Sequence, residues 1–432
     1  MYQLLPENYT MLDLHFIREN PDLVRKAIKD KNEKADLDKL LKLDIDRRQA
    51  VQKADQLKAE RNRASEEIGK TKKAGKNADE AIQAMKKVSD EIKGLDDKIK
   101  NLESDILSIQ SSIPNIPHTS VPVGPDPGYN QIVREWGGKP EFDFEIQAHW
   151  DIGPKLGLLD FERGSRLSGS NFVAYTGIGA KLQRALINFM LDLHTETHDY
   201  KEAWVPTIVK REIMFGTGQL PKLEEDMYHI EKDDLFLIPT AEVPVTNLHR
   251  EEILQADQLP LCYTAYTPCF RREAGSYGAD TRGLMRIHQF DKVEMVRIVN
   301  PDTSYDELEI LLQHAEEVLQ LLQLHYRVVA LATGDLSFSA AKCYDLEVYA
   351  PGIDKWLEVS SCSNFEDFQA RRMGLRFRRE SGAKAEFVHT LNGSGLALPR
   401  IVIAIIENYQ TDENTVMVPD VLKKYMGLDV IK

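Results

Sequence analysis

The sequence predicts an α+β fold: a mainly antiparallel sheet flanked by helices, preceded by an N-terminal antiparallel coiled-coil arm of two helices. Three observations carry that expectation. Apolar residues recur at steps of three and four through residues 79–113. A proline-rich run over residues 114–127 ends that pattern. Beyond it, short β-rich runs alternate with helical periods at uneven spacing, unlike the regular beat of a doubly wound parallel sheet.

In residues 79–113 the apolar positions are Ile82, Met85, Val88, Ile92, Leu95, Ile99, Leu102, Ile106, Ile109 and Ile113, the alternation of a coiled-coil seam. Leu40, Leu43, Arg47, Ala50, Ala54, Leu57, Arg61, Ala64 and Ile68 keep the same beat. GKTKKAGKNAD lies between the two, with Gly69 and Gly75 expected to break the helix and Asp79 expected to cap the next. Two such helices of about 30 residues would reach roughly 45 Å. The turn carries Lys70, Lys72, Lys73 and Lys76 and no acid. A solvated turn is the commoner reason for four such lysines than an anionic partner. Arg47 and Arg61 fall on the seam, where long side chains snorkel or set register.

The prolines of SSIPNIPHTSVPVGPDPG cannot continue a helix. The chain is therefore expected to divide into residues 11–118 and 119–432, with residues 1–10 an extension or tag remnant without function. In the second part LFLIPTAEVPV, LCYTAYTPCF, QFDKVEMVRIV, CYDLEVYAPG and KWLEVSSCS read as strands. AKLQRALINFMLDLHTETH, YDELEILLQHAEEVLQLLQLH and PRIVIAIIENYQ read as helices.

At 432 residues the chain exceeds one ordinary domain. A net charge of −14 argues against a protein that coats nucleic acid non-specifically, while leaving room for a local basic surface. Cys262, Cys269, Cys343 and Cys362 form no Cys-x-x-Cys pair, so reduced thiols in a cytoplasmic protein are expected rather than a disulfide framework or a zinc site. No apolar run is long enough for a membrane span. Neither a P-loop nor a dinucleotide fingerprint is present, so any bound phosphate must be held by arginine side chains.

Four segments are unusual for a plain core. FRREAGSYGADTRGLMRIHQF joins two strand-like runs and would bring Arg271, Glu273 and Arg286 together, an arginine fork suited to phosphate oxygens or, more plainly, a solvated hairpin. In TAE, Thr240 and Glu242 would share one side of a strand, and a surface pair is the simpler explanation of that alone. In LEVSSCSN, Glu358 and Ser361 end a hydrophobic strand and offer hard-cation ligands, or Ser363 and Asn364 cap a helix. In NGSGLALPR, a small-residue turn enters an apolar helix with Arg400 in its first turn. Positive charge there opposes the helix dipole and points to a bound anion or a stacked aromatic group.

In this order and with the arm, the four segments resemble class II aminoacyl-tRNA synthetases, specifically the bacterial-type seryl-tRNA synthetases, over residues 11 to about 430. The resemblance implies an ATP-dependent ligase that activates L-serine and transfers it to tRNA(Ser), and by extension tRNA(Sec). It implies a homodimer whose interface includes AKLQRALINFMLDLHTETH and EAWVPTIV, the latter a strand containing Pro206. Residue by residue, Arg271 is similar to the arginine bridging the ATP α-phosphate and the serine carboxylate, and with Arg400 would be catalytic. Glu273 would meet the adenine amino group, Phe290 the ring, and Arg286 phosphate. Arg400 would lie on the other adenine face and near the γ-phosphate. Glu358 and Ser361 would hold Mg2+ with the phosphates, with no zinc. Thr240, Glu242, Glu294 and Ser394 would read serine. Residues 11–118 would bind tRNA, with Arg61, Lys70, Lys72, Lys73 and Lys76 as candidate contacts. Another class II ligase, or an interaction protein on an inactive synthetase scaffold, is disfavoured by the arm and by the presence of Arg271, Glu358 and Arg400.

Overall fold

The computed structural model describes residues 12–75, 77–274 and 282–432. The chain forms two compact units, one of residues 12–29 and Glu33–Ile113, the other of Asp30–Asn32 and Pro114–Lys432. The expected extension at residues 1–10 and the expected contact Lys76 lie outside the described residues.

In the first unit two short helices, Leu14–Glu19 and Pro21–Asp30, precede the arm helices α1 (Leu37–Lys73) and α2 (Asp79–Gln110). Arg47 meets Glu103 across the pair at 2.9 Å, Lys53 meets Glu91 at 2.5 Å, and Lys58 meets Asp96 at 2.8 Å. Exposed pairs like these set register more than they add stability. Near the base, Ile92, Leu102 and Ile106 are buried, and the Asp44 carboxylate is held by Arg18 and Arg48. Ile82, near the turn, is exposed. Three expectations about the arm need correcting. Gly69 lies inside α1, where one glycine costs about 1 kcal/mol, and a helix of 37 residues absorbs that. Asp79 is the first residue of α2, and the Asn77 side chain accepts its N–H at 2.8 Å. Ile113 lies beyond the helical seam, since α2 ends at Gln110.

The second unit is built on an eight-stranded sheet: β1 (Gln131–Trp136), β2 (Lys201–Glu202), β3 (Leu261–Phe270), β4 (Gln289–Val299), β5 (Tyr326–Ala330), β6 (Lys342–Ala350), β7 (Lys355–Asn364) and β8 (His389–Ala397). Their order is β1-β5-β6-β7-β8-β4-β3-β2, antiparallel throughout except for β2 beside β3. The α+β expectation holds. Helices α3 (Gly177–Glu196), α4 (Ser304–Leu321) and α5 (Leu398–Asn408) supply the apolar partner. In α4 the buried residues Leu308, Leu311, Leu312, Ala315, Val318 and Leu319 fall at helical spacing and join Val293, Met295 and Val299 of β4 in one core. Alternation along β4 then sends Phe290, Lys292 and Glu294 to the opposite face. No described helix is long and apolar enough to cross a membrane.

Two register shifts tune that opposite face. On β7, Ser360 opposes Leu346 while Glu358 opposes Glu347, so Val359 is the extra residue. On β8, Ser394 opposes Glu294 and Leu396 opposes Val293, leaving Gly395 extra. Bulges of this kind re-aim side chains. They also correct the sequence reading: Glu358 and Ser361 sit within β7 rather than at its end, and NGSGLA is a central strand rather than a turn. Its glycines serve close packing, since a Cβ on Gly393 would lie 2.9 Å from Cys362 Sγ and 3.1 Å from Leu311 Cγ. Pro206 lies between the short strands Lys201–Glu202 and Ile208–Lys210, not within one, because it has no N–H to give a ladder. Gly393→Ala is expected to lower stability by about 1–3 kcal/mol through overpacking. Urea denaturation checks this, and an unchanged midpoint would contradict the packing argument.

Candidate functional site

The sheet face opposite the three helices carries a cavity of about 330 Å³ lined by Thr240, Glu242, Arg271, Glu273, Arg286, Phe290, Glu358, Ser361, Ser394 and Arg400 among others. Glu294, 1% exposed, lies directly behind them. The structure thus brings together every residue singled out for ATP, serine or metal. Arg61, Lys70, Lys72 and Lys73 belong to α1 instead, and Lys70 is paired with Glu67 at 2.8 Å.

One end of the cavity is a set of aimed arginines. Arg271 follows β3, and its backbone N–H donates to the His288 carbonyl at 2.9 Å, extending the hairpin past the strands. Its Nε donates to the Pro239 carbonyl at 3.3 Å, and its guanidinium sits 5.2 Å from the centroid of Phe290, within cation–π range. Arg286 Nη1 meets Glu273 Oε2 at 3.0 Å, so the expected convergence of these three residues occurs. Glu273 adopts φ +52°, a left-handed conformation uncommon for a residue with a side chain. Arg400, the third residue of α5, donates from Nη1 to the Glu358 carbonyl at 2.5 Å and lies 3.4 Å from its carboxylate.

The other end is a buried pair of carboxylates. Thr240 and Glu242 do not share a strand. Glu242 opens the short helix Glu242–Thr246, and its N–H donates to Thr240 Oγ1 at 3.2 Å across a tight turn. Thr240 Oγ1 donates to Glu294 Oε2 at 3.1 Å, Asn392 Nδ2 donates to Glu294 Oε1 at 3.1 Å, and Lys292 Nζ lies 2.5 Å from Glu294 Oε2. Burial, then the neighbouring Glu294 charge, pushes Glu242 up to about 7. Two neighbouring buried carboxylates favour a cation arriving beside them, and their oxygens also suit a hydroxyl donor.

Lys292 and Asn392 were missed in the sequence, although the signal was there. Each stands two residues before a chosen one, Glu294 or Ser394, and so shares its face of a strand. Asp345 was missed too. It pairs with Ser361 across β6 and β7, and burial, then the Glu358 charge, holds its carboxyl well above the usual range.

A divalent cation has a modest donor set here. Glu358 and Ser361 are three apart, a spacing that an even strand would point to opposite faces, yet the β7 bulge lets both line the cavity. Among the described residues no cluster of three or more His, Cys, Asp or Glu could hold a metal alone. One carboxylate and one hydroxyl fit magnesium, which keeps most of its shell as water and phosphate oxygens.

Two family models match the chain: "Seryl-tRNA synthetase N-terminal domain" over residues 11–117 and "tRNA synthetase class II core domain (G, H, P, S and T)" over residues 224–409. The serine–tRNA ligase of Caldanaerobacter subterraneus subsp. tengcongensis is 58% identical over 422 residues, 98% of this chain and 99% of that one. Among solved structures, seryl-tRNA synthetase from Pyrococcus horikoshii complexed with ATP superposes with a TM-score of 0.91 at 38% identity, covering 98% of this chain and 99% of that one. The cytoplasmic serine–tRNA ligase of Naegleria fowleri in complex with AMP gives a TM-score of 0.87 at 30% identity, with the same coverage.

The raised Glu242 predicts a pH signature. In the folded chain it holds its proton up to about 7, against 4.5 when unperturbed. Its contribution to stability is therefore full below the unfolded value and lost as pH rises through the folded one. Glu242→Gln removes that titration, so the variant's melting temperature relative to the parent's should climb between about pH 4.5 and 7. A difference that stays flat across this range would contradict the assignment of a strained carboxylate.

Proposed function

The chain belongs to the seryl-tRNA synthetase family of class II aminoacyl-tRNA ligases, and from that premise we propose the chemistry its cavity performs. A serine carboxylate oxygen attacks the ATP α-phosphorus, forming seryl-adenylate and expelling pyrophosphate. The terminal ribose hydroxyl of tRNA then attacks the seryl carbonyl, and AMP leaves. The observation that carries this reading is the shared cavity: arginine side chains and the buried Glu242 carboxylate line a single space of about 330 Å³. An amino acid is a cation at one end and a carboxylate at the other, so such a space orients it with its carboxylate toward the nucleotide.

The roles follow from that polarity. Glu242 and Glu294, with Thr240 and Ser394, receive the ammonium and hydroxyl groups of serine. Alanine leaves these buried acceptors unpaired, which is how a polar pocket rejects a substrate lacking a hydroxyl. Arg271 neutralises charge between the serine carboxylate and the α-phosphate. Phe290 lies against the adenine ring, Glu273 accepts from its amino group, Arg400 covers the other face, and Arg286 meets phosphate. Glu358 and Ser361 would hold a magnesium ion that neutralises phosphate charge. No proton transfer is required in the first step, so orientation and electrostatic stabilisation account for its acceleration.

We extend the reading to the assembly. The exposed Trp204, 83% accessible beside Pro206, together with the exposed Ile208, supports a homodimer that buries this segment. The arm would grip the tRNA through phosphate and shape contacts from Arg61 and the turn lysines. The substrates are tRNA(Ser) and, in an organism that uses it, tRNA(Sec), and the working compartment is the cytoplasm.

Arg271→Ala should abolish serine-dependent ATP–pyrophosphate exchange while the fold, followed by circular dichroism, persists. Near-normal exchange would sink the assignment. Deletion of residues 40–108 should spare exchange and remove tRNA charging, and unchanged aminoacylation by that protein would overturn the role given to the arm.

A further inference from the structure

We propose that Gln369 is a positioning residue for amino-acid selection, whose amide fixes Glu242 and joins it to the loop that begins at Thr217. The proposal rests on the reading of Glu242 as a serine ligand. Gln369 lies in the short helix Phe368–Met373 and is 1% exposed. Its Nε2 donates to Glu242 Oε1 at 2.7 Å and to the Thr217 carbonyl at 3.1 Å, and its Oε1 accepts from Thr390 Oγ1 at 2.8 Å.

The chemistry leaves the amide one orientation. A carboxylate and a backbone carbonyl are both acceptors, so the nitrogen must face them, and the Thr390 hydroxyl must then donate to the oxygen. Gly218 and Gln219, which follow Thr217, line the cavity. One side chain therefore holds a substrate-facing carboxylate and the start of a cavity wall. Thr390, Asn392 and Ser394 share a face of β8. Asn392 holds Glu294 directly, while Thr390 holds Glu242 through Gln369. Both carboxylates are thus fixed from one strand.

The test compares the full-length protein with Gln369→Leu in ATP–pyrophosphate exchange. Losing a hydrogen bond to a charged group should raise the serine KM roughly ten- to hundredfold while the ATP KM changes by less than about twofold. The acidic limb of kcat/KM for serine should move to higher pH, because the donated hydrogen bond favours the Glu242 carboxylate. Glu294, Lys292 and Arg271, the charged groups facing Glu242, are unaltered in the variant. In a Glu242→Gln background the Gln369→Leu effect should largely vanish, since the two act as a unit. Thr390→Val, which only frees the amide, should give a smaller rise of roughly two- to tenfold, and it carries the test if Gln369→Leu does not fold. Equal rises in both KM values, additivity with Glu242→Gln, or an unchanged serine KM in Thr390→Val would overturn the proposal. A parent protein without serine-dependent exchange would overturn both this proposal and the reading beneath it, whereas normal exchange by the Gln369 variant would overturn this proposal alone.

Discussion

Two neighbouring carboxylates, Glu242 and Glu294, are buried together, and much of the second unit is arranged around holding them there. Buried charges repel and lose hydration together, a combination costing several kcal/mol unless hydrogen bonds and opposite charge offset it. Here the offset comes from several elements at once: Lys292 on the same strand as Glu294, Asn392 on the neighbouring strand, Gln369 on the helix Phe368–Met373, and Thr240 in the turn before Glu242. The eight-stranded sheet places most of them, and three helices pack on its far face.

That placement required departures from a regular sheet. Strand alternation would set Glu358 and Ser361 on opposite faces, and Ser394 and Ala397 likewise. An extra residue in each strand corrects the parity, Val359 in β7 and Gly395 in β8. The residue type at the second bulge follows from its surroundings, since a Cβ on Gly395 would lie 2.8 Å from His194 Nε2 and 3.1 Å from Val293 Cγ1. Gly393 is explained in the same way by Cys362 and Leu311. Small residues in this strand bring the helix layer close enough for the opposite face to hold its polar groups at hydrogen-bond distance.

How legible this was in the sequence differs by level. The long strands β3, β4, β6 and β7 could be read because their β-branched and aromatic runs match a surface buried on both sides. Helix α4 could be read from its spacing alone. NGSGLA was misread as a turn because glycine and serine favour turns when considered locally, and the packing that demands them comes from α4 and β7, far away in sequence. Glu242 is expected in a strand for the opposite reason: the valines that follow it favour strands, but it opens a short helix after the turn that begins at Thr240. In the arm, Gly69 is expected to break the helix because its local cost is real, while a helix of 37 residues carries that cost. The chosen site residues converge, yet Lys292, Asn392, Asp345 and Gln369 do not stand out as motifs. They act by what they face.

The same distinction explains how a chain of net charge −14 can gather three arginines around one cavity. Net charge describes the long-range field, whereas recognition at contact distance depends on a few oriented groups. Arg271 is steered by the Pro239 carbonyl and the face of Phe290, Arg286 by Glu273, and Arg400 by the Glu358 carbonyl. Two of these four partners are neutral backbone carbonyls, which fix direction, while Glu273 and the Glu358 carboxylate, 3.4 Å from Arg400, also offset part of the charge. Each guanidinium has more donors than these contacts use, and all three line the cavity. An acidic surface elsewhere weakens this little, since screening confines its influence to about 10 Å at ordinary ionic strength. What brings these arginines together is the β3–β4 hairpin, whose ends carry Arg271 and Arg286, and the start of α5, which carries Arg400, and that placement is a property of the fold rather than of the composition.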